Sequence, residues 1–229
     1  MLQAVFWDMD GTLVDTEPSW HAAERALLSR YNVEWSDEQA LALVGNALPD
    51  SAEVLQSAGA DLSIREIVDE LVAAVVAGVR ESIEWRPGAR ELLAQLREAG
   101  IPCVLVTMSE APLAEAVVSA LPPETFSLMI TGDMVERGKP HPEPYLRAMK
   151  ELSILEGPIS MDRIVAIEDS IPGLASASAA GAVVLGVPNM VSLGDNPAVI
   201  VWETLAGKSV SDLEDLVAAR AEMLEPQSI

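Results

Sequence analysis

The first apolar run of the chain, Leu2 to Trp7, ends in Asp8-Met9-Asp10-Gly11-Thr12, which puts two carboxylates two residues apart where a buried strand runs out. In α/β folds ligands gather at that end of a strand. One carboxylate there can attack an electrophile once surrounding charge is screened, and the other can carry a proton to or from the reacting group. The competing role of such an aspartate is structural, as the cap of a turn or helix. A second run, Val104-Leu105-Val106, ends in Thr107-Met108-Ser109, where the threonine hydroxyl either grips an anion or caps the segment after Pro112. The chain has three lysines, Lys139, Lys150 and Lys208, and the first lies in Gly138-Lys139-Pro140-His141-Pro142. A lysine held between glycine and proline in a stiff loop contrasts with the usual solvated surface lysine. A fourth run, Ile164 to Ile167, ends in Glu168-Asp169-Ser170, whose acids either serve a site or cap a helix from Pro172 to Ala180.

Each segment has a structural reading by itself, but three of them are expected to end strands at one edge of a parallel sheet, and the loop after Leu128 to Thr131 can bring Lys139 to the same edge. Asp8, Asp10, Glu168 and Asp169 crowded together would repel unless a divalent cation lay among them, and hard oxygen ligands suit Mg²⁺. A divalent cation, a fixed ammonium from Lys139 and the Thr107 hydroxyl make a phosphate site. They would neutralise the charge that develops in phosphoryl transfer.

The elements that position these residues follow from periodicity. Leu2 to Trp7, Ile101 to Val106, Leu128 to Thr131, Ile164 to Ile167 and Ala182 to Val187 are apolar at nearly every position, as strands buried on both faces are. Leu92, Leu93 and Leu96, and then Leu113, Ala116, Val117 and Leu121, recur at helical spacing. Alternating strands and helices predict a doubly wound parallel sheet. Ala198 to Trp202 is a candidate edge strand, and Ser211 with Glu214 a candidate capping box for a last helix through about Leu224. Thr16 to Trp85 breaks the alternation, because it is almost wholly helix-like. Turn signals flank it, Thr16-Glu17-Pro18 going out and Arg86-Pro87-Gly88 coming back. This predicts an inserted helical cap on residues 16–85 over a core of 1–15 and 86–229; the alternative is a helical excursion that never moves.

With 229 residues the chain can bury a substantial core, and half of its residues are hydrophobic, which argues against disorder. A formal net charge of −22 disfavours nucleic acid and anionic membrane surfaces as partners. The longest all-apolar stretch, Leu71 to Val79, is far shorter than the roughly 20 residues that span a bilayer. The single cysteine, Cys103, lies inside a strand-like run, which fits a reducing cytoplasm. The expected product is a soluble cytoplasmic protein, monomeric or weakly dimeric. Leu216, Val217 and Met223 on the last helix are available to pack on the core or on another subunit.

Taken together, the motifs resemble those of the haloacid dehalogenase superfamily of aspartate-nucleophile phosphatases, in the family's order and over nearly the whole chain. Asp8-Met9-Asp10-Gly11-Thr12 is similar to its first motif, Thr107 to its second, Lys139 to its third and Glu168-Asp169 to its fourth. The helical insert resembles the cap of its first structural subclass, which includes phosphoglycolate-type and sugar-phosphate phosphatases and the β-phosphoglucomutases. The resemblance implies a Rossmann-like core sheet of five main parallel strands. It implies Asp8 as nucleophile and Asp10 as acid and base. It also implies a Mg²⁺ ion held by the Asp8 carboxylate, the Asp10 carbonyl and Asp169, with Glu168 bound directly or through water. The phosphate oxygens would be held by Thr107, Lys139 and the N–H groups of Met9, Asp10 and Met108.

Substrate choice in this family is carried largely by the cap. Residues 16–85 hold 13 acids and 4 arginines, a net of 4 − 13 = −9, which is a poor setting for a second phosphate. The mutase branch uses a cap arginine just after a glycine, whereas the matching stretch here, Gly45-Asn46-Ala47-Leu48-Pro49-Asp50, has no cation. Met108-Ser109-Glu110-Ala111 also lacks that branch's Lys-Asn pair. The expectation is hydrolysis of a small phosphorylated metabolite, a sugar, polyol or short acid monophosphate. A phosphomutase and a non-catalytic phospho-acceptor module are the alternatives. Trp20, His21 and Asn46 are candidate substrate contacts from the cap, against the ordinary reading of packing or surface residues. His141 is expected to stiffen its loop rather than bind metal.

Overall fold

The structure, a computed structural model, describes residues 1–194 and 199–224. Six parallel strands make one sheet: β1 (Ala4–Trp7), β2 (Cys103–Val106), β3 (Leu128–Ile130), β4 (Ile164–Glu168), β5 (Val183–Gly186) and β6 (Ile200–Val201). Their order is β3-β2-β1-β4-β5-β6. The chain builds outward from β1 first in one direction and then in the other, so the order reverses between β1 and β4, where doubly wound sheets leave a crevice for ligands. Trp7 lies level with Leu105 on one side and Ile167 on the other. The residues that follow these three strands therefore emerge side by side.

Alternation along the strands builds two cores. Val5, Trp7, Leu105, Val165, Ile167 and Leu185 face one layer, which includes α5 (Ala89–Glu98), α6 (Ala111–Val118) and α9 (Val210–Leu224). Phe6, Val104, Val106, Ala166 and Val184 face the other, covered by α7 (Glu143–Glu156) and α8 (Ile171–Ala180). These strands read as continuous apolar runs because both faces are buried.

Between β1 and β2 come four helices, α1 (Glu17–Ser29), α2 (Asp37–Leu41), α3 (Leu48–Ala58) and α4 (Ile64–Glu81). Ile67, Leu71, Val75 and Val79 of α4 make a buried stripe, and Ser63 with Glu66 closes its N-terminus as a capping box. The outgoing and returning segments pair where they cross: Asp15 N–H donates to Glu84 O at 2.7 Å and Arg86 N–H to Leu13 O at 3.0 Å. Arg65 of α4 grips both carboxylate oxygens of Glu110, just beyond the end of β2, at 2.6 and 2.9 Å.

The last helix departs from expectation at its start. Its capping residues are Ser209 and Asp212, with Ser209 N–H donating to Asp212 Oδ2 at 2.8 Å, rather than Ser211 and Glu214. Two overlapping Ser-x-x-acid boxes exist in Ser209-Val210-Ser211-Asp212-Leu213-Glu214, and burial of Leu213 and Val217 against the sheet selects the earlier one. Val217 packs on the core and Leu216 against its margin. The Met223 side chain and Ala198, the first residue of the expected edge strand, lie outside the described residues. Among the described residues no helix is long and apolar enough to cross a membrane.

Candidate active site

Asp8 extends β1 by one ladder bond, its N–H donating to Ile167 O at 3.0 Å. The chain then folds back at once: Leu13 and Val14 donate to Met9 O at 2.9 and 3.1 Å, and Gly11 to Val14 O at 2.8 Å. The N–H groups of Met9 and Asp10 are left without a partner among the described residues. Gly11 has φ +79°, and a Cβ there would sit 1.9 Å from Asp169 Oδ2, so only glycine lets this turn pass the acid. After β4, Ser170 caps α8 by accepting from Gly173 N–H at 3.2 Å, which frees Glu168 and Asp169 from that duty. Glu110, not Thr107, stands at the N-terminal cap of α6. The capping alternatives for the second and fourth segments are thus filled by other residues.

Lys139 is the electrostatic centre. Its ammonium has three protons and meets three acceptors: Asp8 Oδ1 at 2.6 Å, Glu168 Oε1 at 2.6 Å and Val106 O at 2.9 Å. Burial opposes the charge on this amine, but Asp8 and Glu168 together hold it above its ordinary range. The Tyr145 hydroxyl, on α7, also donates to Glu168 Oε1. A Cβ on Gly173 would lie 1.8 Å from Glu168 Oε2, so the start of α8 has to be bare there. Loop rigidity comes partly from His141, whose Nδ1 accepts from Glu143 N–H at 3.1 Å and whose carbonyl accepts from Ser176 Oγ at 2.6 Å.

Asp10 is held by four donors. Its Oδ2 accepts from Ser109 Oγ at 2.7 Å and Thr107 Oγ1 at 3.3 Å; its Oδ1 accepts from Thr16 Oγ1 at 2.5 Å and Trp20 Nε1 at 3.2 Å. Thr16 is the N-cap of α1 but spends its hydroxyl on Asp10 instead of on the helix. One carboxylate therefore ties the end of β2 to the first helix of the insert.

Asp8, Glu168 and Asp169 each offer an oxygen within 4.8 Å of the others. Burial and then Glu168 push the Asp8 carboxyl up to about 7, although Lys139 pulls it down. Burial and then Asp8 and Glu168 hold Asp169 well above the carboxylate range. Glu168 Oε2 and Asp169 Oδ2 are buried with no hydrogen-bond donor. Orphaned, crowded oxygens of this kind fit a divalent cation, which would satisfy them and lower these pKa values.

Asp8, Asp10 and Asp169 line a cleft at this edge of the sheet. Thr107, Met108 and Lys139 line it, as do Trp20 and Asn46 from the helical insert. His21 does not line it: its ring lies behind Glu17, with Nε2 at 3.7 Å from Glu17 Oε2 and no hydrogen bond. Trp20 and His21 are consecutive on a helix and point about 100° apart, so the tryptophan faces the cleft and the histidine does not. Sequence reasoning also passed over Glu17, Glu24 and Ser109, which line the cleft, and Tyr145, which steadies Glu168. Glu17 in the first turn of a helix reads as an exposed acid favoured by the helix dipole. The available signal was the seven-residue spacing of Glu17 and Glu24, which sets both on the face carrying Trp20.

Crowded buried acids make stability fall with pH. Burial first, then Asp10 and Asp15, push Glu17 up to about 8, and burial pushes Glu24 up to about 7 against the hydrogen bond from Trp35. Asp8 and Asp169 shift the same way. Folded pKa values above the unfolded ones mean that the native state binds more protons between about pH 4 and 8, so stability declines as pH rises through that window. Calorimetry of the metal-free protein should show a melting temperature several degrees higher near pH 5.5 than near pH 8, with a divalent cation recovering part of the loss. A higher value at the alkaline end would contradict this arrangement of charges.

The geometry agrees with what the chain resembles. A family model for haloacid dehalogenase-like hydrolases matches residues 2–181. Hexitol phosphatase B of Escherichia coli (strain K12) is 29% identical over 229 residues, with 95% of each chain covered. The bifunctional riboflavin kinase/FMN phosphatase of Arabidopsis thaliana is 30% identical over 191 residues, 81% of this chain; the match spans about half, 48%, of that relative. The crystal structure of CbbY from Rhodobacter sphaeroides in complex with phosphate superposes with a TM-score of 0.82 at 27% identity, covering 93% of this chain and 100% of that one. With its model spanning most of the sequence, and with all four motifs brought to one edge of the sheet, the chain belongs to the haloacid dehalogenase-like hydrolases.

Proposed function

We propose that the chain is a Mg²⁺-dependent phosphatase that hydrolyses a small phosphorylated metabolite, a sugar, polyol or short acid monophosphate, through an aspartyl phosphate on Asp8. The observation that carries this reading is the buried contact of Lys139 with Asp8 and Glu168, beside two acid oxygens that have no donor. The relatives named for phosphatase activity point the same way.

Asp8 attacks phosphorus, the bond to the leaving oxygen breaks, and Asp10 delivers a proton to that oxygen. Asp10 then takes a proton from the water that attacks the phosphorus of the aspartyl phosphate, releasing inorganic phosphate and restoring Asp8. Lys139 neutralises Asp8 and the phosphoryl group, while Thr107 and the N–H groups of Met9, Asp10 and Met108 hold its oxygens. Asp8, Glu168 and Asp169, with the Asp10 carbonyl, would hold Mg²⁺, which supplies further positive charge at the phosphoryl oxygens. Residues 16–85 act as a cap over a core of 1–15 and 86–229, and Trp20 and Asn46 face the substrate from it. The enzyme works in the cytoplasm as a monomer or weak homodimer, with neither nucleic acid nor membrane as partner.

Among the residues lining the cleft, Lys139 is the one cation, so a second phosphate has nothing to hold it, and hydrolysis is favoured over mutase chemistry. The purified protein should release inorganic phosphate from p-nitrophenyl phosphate in the presence of Mg²⁺, lose that activity to excess chelator and regain it when Mg²⁺ is restored. No release with the metal present would end the proposal.

A further inference from the structure

The wall that α1 contributes to the cleft carries a feature that the phosphate chemistry does not use. Glu17 is only 6% exposed, lines the cleft, and accepts no hydrogen bond among the described residues. Its nearest ring nitrogen, His21 Nε2 at 3.7 Å, lies beyond hydrogen-bond range. Two turns along the same helix, Glu24 is 5% exposed and also lines the cleft; its Oε2 accepts from Trp35 Nε1 at 2.9 Å. Around them the wall is apolar, formed by Leu43, Val44, Leu48 and Leu71. A carboxyl that faces a cleft and has no protein donor is free to accept from a ligand, and uncharged donors suit it.

We infer that Glu17 and Glu24 form a hydroxyl-recognition subsite that selects monophosphates of uncharged polyhydroxylated compounds, sugars or polyols, and rejects leaving groups that carry a carboxylate or a second phosphate. Hydroxyl groups would donate to the two carboxyls while the carbon chain lies on the apolar wall. An anionic leaving group would instead face two acids with no cation beside them. The inference rests on the phosphatase reading above and narrows it by removing the short acid phosphates. Burial raises Glu17 to about 8 and Glu24 to about 7, so the rejection of anions is read near pH 8.5, where both carboxyls are mostly ionised.

The test compares glucitol 6-phosphate with gluconate 6-phosphate, which differ at the far end by a carboxylate, and with fructose 1,6-bisphosphate. The wild-type protein with Mg²⁺ should favour the polyol phosphate over both by about tenfold or more in kcat/KM. Glu17→Gln, which turns an acceptor into a group that also donates, should shrink the polyol-to-acid ratio by at least about threefold, and Glu24→Gln should shift it in the same direction. Equal use of the three compounds by the wild type, a preference for the acid, or a ratio unaltered in both variants would overturn the inference. The wild-type ratio decides even if one variant fails to fold. The phosphatase reading has its own control: release from p-nitrophenyl phosphate without a polyol preference defeats the subsite alone, whereas no release from any compound defeats both.

Discussion

Asp8→Asn is expected to abolish phosphate release, by at least about 10⁴-fold, because an amide in the same place is not a nucleophile toward phosphorus. The substitution changes little else in shape, and its effect on stability should run opposite to its effect on activity. Asp8 sits beside Glu168 and Asp169, and burial and the neighbouring acids raise the carboxyls of Asp8 and Asp169. Removing one of those charges relieves the repulsion, and Lys139 keeps Glu168 at 2.6 Å and Val106 O at 2.9 Å. Without metal near pH 8, the variant should therefore melt no lower than the wild type and show a flatter dependence of melting temperature on pH. Phosphate release from p-nitrophenyl phosphate gives the first readout and calorimetry the second. Turnover within tenfold of wild type would remove Asp8 as the nucleophile. A large drop in melting temperature would show that the carboxylate stabilises the fold, contrary to the charge balance described here.

Lys139→Ala should lower kcat/KM by roughly a thousandfold, the scale of losing a fixed positive donor at developing negative charge. It should also destabilise the metal-free protein, which Asp8→Asn should not. Deleting the ammonium leaves Asp8 and Glu168 buried without a counter-charge, and breaking a buried pair from one side costs about 3–5 kcal/mol. The sign with pH follows from Asp8: Lys139 pulls its raised pKa down, so without the lysine that folded value rises further above the unfolded one, and the loss should be smallest near pH 5 and grow toward pH 8. Full activity in this variant would reduce Lys139 to a structural tether. Equal destabilisation at both pH values would mean that the packing of its methylene chain, rather than its charge, accounts for the effect.

The sequence by itself determined the strands, the insert and the floor of the site. Runs apolar at every position have to be buried on both faces, and a carboxylate or hydroxyl directly after such a run has to appear at the sheet edge; hence Asp8, Thr107, Glu168 and Asp169 were legible without coordinates. Lys139 was legible because proline and glycine confine it. Local pattern could not choose between the overlapping caps at Ser209 and Ser211, nor assign Ser170 rather than the acids beside it to the start of α8. Those choices belong to the tertiary structure, because they depend on which apolar side chains the sheet buries. The same holds for the walls of the cleft. Glu17, Trp20 and Glu24 share one helical face, but whether that face meets water or the site depends on where the sheet lies relative to α1. A surface acid and an unsatisfied acid in a binding cleft have the same sequence; what distinguishes them is the long-range packing that excludes water.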